Sequence, residues 1–124
     1  MANLQLSESE VLKAILELLA RHPAVCFAHR QTVGAYKIGP RTIRYGMPGS
    51  ADISGMLKDG RRLEIEVKRA GVKTASVLQL KYLNKINKYN GVGILASDVE
   101  TVIQCLGKKE AQENMRQLIE NQLK

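Results

Sequence analysis

The 124 residues, 44% hydrophobic and 25% charged, predict one soluble globular domain, long enough for a single core and too short for two. No apolar run approaches the roughly 20 residues of a membrane span, and Met1–Gln5 carries no signal-peptide pattern. Two cysteines make no disulfide framework, which leaves buried free thiols at Cys26 and Cys105 and a reducing, cytoplasmic setting. A net charge of +7 points to an anionic partner.

In chain order, Ser7 and Glu10 form an S-x-x-E capping box that opens a helix running to about Arg21, where His22-Pro23 stops it. Val11, Leu12, Ile15, Leu18 and Leu19 make its apolar stripe. Glu8, three and four residues before Val11 and Leu12, falls on that inward side, whereas Glu10 and Glu17 turn outward. Glu8 therefore reads either as a first-turn acid favoured by the helix dipole or as an acid aimed at a site.

Ala24–His29 reads as a short strand. Arg30–Gly46 then carries basic residues and two tyrosines between glycines, and predicts a loop with an irregular hairpin. From Leu18 to Ala51 there is no acid at all, against Arg21, Arg30, Lys37, Arg41 and Arg44. Bases interleaved with Tyr36 and Tyr45 suit a phosphate backbone and an exposed base. Arg30, Lys37, Arg41 and Arg44, with Arg69 and Lys73 of a later loop, are the candidate DNA contacts. His22 and His29 have no metal-ligand spacing.

Asp52–Leu57 and Arg61–Lys68 form a central hairpin turned at Lys58-Asp59-Gly60. In the second strand Leu63, Ile65 and Val67 alternate with Glu64, Glu66 and Lys68, the pattern of one buried and one open face. Glu66 and Lys68 then point the same way, roughly 6–7 Å apart. Asp52 at the start of the partner strand would share their end of the sheet, which makes a candidate metal site.

A Gly-containing loop, Arg69–Thr74, leads to a helix from Ala75 or Ser76 to Tyr89, ended by Asn90-Gly91. Leu78, Tyr82, Leu83 and Ile86 define its apolar side, with Lys81, Lys85 and Lys88 opposite. Gln79 falls on the apolar side, where it either closes a capping box with Ser76 or reaches the carboxylates. Val92–Ala96 is a buried strand, Ser97-Asp98 caps a helix through Leu106, and Glu110–Lys124 is a last helix with a narrow stripe at Ala111, Met115, Leu118, Ile119 and Leu123. That stripe packs on the domain, taken as residues 1–106, or on a second copy. The order α-β-β-β-α-β-α-α is an α/β sandwich with a small mixed sheet.

Asp52 followed by Glu66-Val67-Lys68 resembles the motif of the PD-(D/E)xK nuclease superfamily. With Gly46-Met47-Pro48-Gly49-Ser50 ahead of Asp52, Arg69 behind Lys68, and Gln79-x-x-Tyr82-Leu83, about Ser7 to Leu106 is similar to the virus-type replication-repair nuclease (VRR-NUC) branch. Ala51 stands where the superfamily has proline, and Leu12 where relatives often have glutamine. The resemblance implies a restriction-endonuclease-like α-β-β-β-α-β core in a standalone phage or bacterial domain. It also implies Mg²⁺ or Mn²⁺ held by Glu8, Asp52, Glu66 and the Val67 carbonyl, with Lys68 assisting chemistry and Gln79 supporting the site. Hard carboxylate oxygens suit those ions. The implied activity is endonucleolytic hydrolysis of DNA, on four-way junctions by a homodimer or on flaps, nicks or plain duplex; a non-catalytic basic DNA-binding module is the other class.

Overall fold

The computed structural model describes residues 5–32 and 34–124; most of the Met1–Gln5 reading falls outside them. The architecture is α/β. Helix α1 (Glu8–Arg21) is followed by strands β1 (Val25–Arg30), β2 (Gly34–Ile38), β3 (Arg41–Tyr45), β4 (Ile53–Leu57) and β5 (Arg62–Val67). Then come α2 (Val77–Lys88), β6 (Val92–Ala96), α3 (Val99–Gly107) and α4 (Lys109–Gln122). Four strands form a mixed sheet in the order β1-β4-β5-β6, while β2 and β3 pair only with each other. The pairs β1–β4 and β4–β5 are antiparallel and β5–β6 is parallel.

Capping chemistry sets the helix ends. Ser7 and Glu10 close the expected box at α1, and Ser76 and Gln79 close a second at α2. Each satisfies two N–H groups that the first turn would leave unpaired. Asp98 caps α3 through its bond from the Thr101 N–H. Asn90, at φ 71°, turns the chain out of α2.

The parallel β5–α2–β6 unit decides burial. Its crossover helix covers the face of β5 that the alternating sequence leaves open. Residues 63–67 are buried on both faces, with Glu64 at 0% and Glu66 at 3% exposure. The expectation of a one-faced strand is therefore corrected: α2 supplies polar partners that let the second face go under. On α2 the buried residues are Leu80, Leu83 and Asn87, and Leu78 is 54% exposed. Asn87 donates to the Gly93 carbonyl and accepts from the Gly93 N–H, stitching α2 to β6. A Cβ on Gly93 would come within 2.8 Å of the Leu83 carbonyl, so only glycine lets helix and strand approach this closely.

Two further expectations change. Cys26 is exposed, because β1 is an edge strand whose outer side no layer covers, whereas Cys105 is buried. Residues 34–45 form a regular antiparallel hairpin in continuous register from Gly34↔Tyr45 to Ile38↔Arg41, in place of an irregular one. Helix α4 packs on its own fold, with Met115 and Ile119 buried against α2, α3 and β6. No helix among the described residues is long and apolar enough to cross a membrane.

Candidate active site

The end of the sheet where β5 finishes gathers the predicted residues. Strand pairing between β4 and β5 stops at Ile53↔Ile65, and the Asp52 side chain continues it: Oδ2 accepts from the Val67 N–H at 2.8 Å. Glu66 and Lys68 share one face of the chain as it leaves β5, and the Lys68 ammonium lies 4.0 Å from Glu66 Oε1. From above, Gln79 Nε2 donates to Glu66 Oε1 at 2.9 Å. Its Oε1 accepts from the Lys68 ammonium at 3.0 Å and from the Ser76 N–H at 3.1 Å. Both readings of Gln79 hold together: one side chain caps α2 and joins acid to amine.

The loop before Asp52 is shaped to let α2 start there. Gly49 has φ +82°, and a Cβ on it would stand 2.6 Å from Leu78 Cγ. The turn needs glycine on both counts.

Glu66 is the electrostatic centre. Burial pushes its carboxyl up to about 9, helped by a hydrogen bond to the Asp52 carboxyl and by the Asp52 charge. Lys68 pulls the other way, and the Glu8 charge raises it further. Burial beside a second carboxylate thus disfavours the charged form of Glu66.

Glu8 is exposed in the first turn of α1, a position where the helix dipole alone suits an acid, and its charge acts on Glu66. It stands near Glu66 because the Leu6 carbonyl, just ahead of α1, accepts from the Ala70 N–H, just past Lys68. Among the described residues no three His, Cys, Asp or Glu side chains converge tightly enough to hold a metal ion. The Asp52–Glu66 pair is the nucleus of a donor set, and Glu8 is a nearby charge. Two adjacent carboxyl groups offer the hard oxygen donors that a divalent cation such as Mg²⁺ or Mn²⁺ takes.

Two residues inward along the same face, Glu64 forms a polar knot that alternation alone left on an open face. The Ser54 and Tyr82 hydroxyls donate to it, Tyr82 at 2.5 Å, and Arg62 Nε does so at 3.2 Å. Burial and the Glu64 contact push the Tyr82 hydroxyl up to about 12. The signal available in sequence was Tyr82, three residues after Gln79 and so on the same side of the helix.

The basic candidates are all exposed. Lys37, Arg41 and Arg44 are exposed on the β2–β3 hairpin, and Arg30 is exposed at the end of β1. Arg69 and Lys73 are exposed in the loop between β5 and α2. The hairpin leaves the sheet at the same end as Asp52, where the Gln31 N–H donates to the Asp52 carbonyl at 2.7 Å. Tyr36 and Tyr45 stand 6.3 Å apart between ring centroids on it. Comparison with family models, with curated proteins and with solved structures finds no match.

Proposed function

We propose that this chain is a divalent-cation-dependent endonuclease that hydrolyses DNA phosphodiester bonds on a restriction-endonuclease-like core. The observation that carries the reading is the joined set Asp52, Glu66, Lys68 and Gln79 at one end of the sheet, beside an acid-free basic hairpin. A purely structural ion pair would need neither the second carboxylate nor the bridging amide.

Asp52 and Glu66 would hold Mg²⁺ or Mn²⁺, with the Val67 carbonyl beside them and Glu8 adding negative charge from α1. When bound, the cation supplies Lewis acidity toward the phosphate and toward the attacking water. Lys68 orients that water or neutralises charge growing on the phosphate oxygens. Gln79 keeps the ammonium and the Glu66 carboxyl at fixed separation, so the site is organised before substrate arrives. Lys37, Arg41, Arg44 and Arg30 hold the backbone next to the cut, and Arg69 and Lys73 extend that contact. Branched DNA cut by a homodimer is the substrate reading, because two-fold symmetry sets two sites on opposed strands.

Cleavage of a four-way junction, a 5′ flap, a nicked duplex and a plain duplex, each with Mg²⁺, Mn²⁺ or EDTA, tests this. Paired symmetric cuts in the junction, lost with EDTA and in Asp52→Asn, are expected. Cuts confined to flap or duplex would keep the nuclease and remove the resolvase. Tight binding without cutting under any metal would make the chain a non-catalytic binder.

A further inference from the structure

A second run of the chain is free of acids, and the site uses only its beginning. Between Glu66 and Asp98 there is no Asp or Glu, while Lys68, Arg69, Lys73, Lys81, Lys85 and Lys88 all fall there. The last three are exposed on α2 at i, i+4 and i+7, one line about 10 Å long at 1.5 Å rise per residue. Among the described residues none of them forms an ion pair.

A solvated helix face ordinarily alternates acids with lysines at this spacing, since like charges four apart repel. The helix dipole favours Lys85 and Lys88 in the last turn but not Lys81 in the middle. At the end of the line Tyr89 is 73% exposed, with the Lys88 ammonium 5.8 Å from its ring centroid. The acid near that end, Asp59, is taken by Arg61 Nε at 2.8 Å. Arg62 is the adjoining cation, and it leans on Glu64.

Helix α2 begins at the site, where Gln79 meets Glu66, and passes Tyr82 over Glu64 and Arg62 at the other end of β5. The lysine line therefore lies on the outer face of α2 and runs away from the Gln79 end, whereas the hairpin leaves the sheet at the Asp52 end. Each strand of duplex DNA carries a phosphate per roughly 3.4 Å of axis, so a line of this length spans about three phosphates of one strand.

We propose that the outer face of α2, formed by Lys81, Lys85, Lys88 and Tyr89, is a second phosphate-backbone contact that holds a duplex arm distant from the cut. The inference rests on DNA being the substrate. It gives the protein two separate backbone contacts, which suits a branched or long duplex better than a short one.

Anisotropy titrations in EDTA, over a salt series, measure the slope of log K against log salt for a four-way junction and for a 12-base-pair duplex. Replacing Lys81, Lys85 and Lys88 together by Gln is expected to reduce the junction slope by about 2–3, at roughly 0.9 per lost phosphate contact. The short duplex should change less, and the triple Lys→Arg variant should keep the wild-type slope on both. An unchanged slope in the Gln variant, with wild-type protein binding normally, overturns the inference and leaves the nuclease reading standing. Loss of binding in the Arg variant as well would overturn it too, since charge would not be the cause. Wild-type protein that fails to bind any DNA removes the nuclease reading along with it. The melting temperature of the Gln variant should match wild type, because all three side chains are exposed.

Discussion

The Gln79 amide that closes the α2 capping box also donates to Glu66 at 2.9 Å. Helix initiation and site geometry are consequently one structural event. Glu at the same position would still complete a capping box, but it would set a third acid against Glu66 and lose the donor. Gln79→Glu should therefore melt near wild type and lose about 10–100-fold in cleavage, the usual range for a residue supporting metal ligands. Gln79→Ala should lose both stability and activity. Thermal melts beside single-turnover cleavage check this; full activity in Gln79→Glu would detach the cap from the chemistry.

Glu66 makes the metal-free protein sensitive to pH. Its carboxyl sits near 9 in the folded chain, through burial and the Asp52 carboxyl, against an ordinary value of 4.5. Between those limits the folded state keeps a proton that the unfolded chain has released. Stability contributed by this group is complete below about pH 4.5 and falls as pH rises toward 9, by at most about 1.4 kcal/mol per unit. Urea melts in EDTA at pH 5.5, 7 and 8.5 should show the decline, and Glu66→Gln should flatten it. A wild-type profile already flat over this range would mean that Glu66 is not raised in the folded chain.

The Glu64 knot predicts large stability losses. Tyr82→Phe removes one hydroxyl donor from a carboxylate that is fully buried, and should cost about 1–3 kcal/mol in urea denaturation. Glu64→Ala strands Tyr82 and opens a void, with a loss of about 2–5 kcal/mol. A change under about 0.5 kcal/mol in both would show the knot to be dispensable.

Glu8 and Glu10 should separate cleanly. The Glu10 carboxylate is held below its ordinary range by the Ser7 N–H and hydroxyl in the capping box. Glu10→Gln should lower the melting temperature slightly and leave cleavage intact, and Glu8→Gln should do the opposite. The reverse pattern would remove Glu8 from the site.

The thiols should differ in reactivity. Burial pushes the Cys105 thiol up to about 11, and Cys26 is exposed. A thiol reagent at pH 7.5 should label one cysteine in the native protein and both in urea. Equal native labelling would show that the α3 region opens readily.

What the sequence carried and what it hid differ by mechanism. Caps and strand boundaries depend on local spacing and are readable within a few residues. Asp52 joins Glu66 and Lys68 through the predicted hairpin, whereas Gln79 reads equally as a cap or as a partner of the carboxylates until α2 is in place. Burial depends on what arrives later in the chain. Glu64 reads as a surface acid until α2 places Tyr82 over it. Cys26 lies in an apolar run whose hydropathy says nothing of its being at a sheet edge. Leu78 falls in the apolar stripe of the helix by spacing, but the side of α2 that meets the sheet turns it outward over Gly49.

The β2–β3 hairpin leaves and re-enters the sheet between two strands that are already neighbours. The β1–β4 ladder reaches Arg30↔Ile53, and the Gln31–Asp52 backbone bond closes the gap just beyond it. The two hairpin strands pair only with each other and with no strand of the four-stranded sheet. The hairpin can therefore be lengthened or exchanged while Gly49, Ala51 and the carboxylates stay in place. A scaffold of this kind can change what its hairpin presents to a partner without rebuilding the carboxylate end of the sheet.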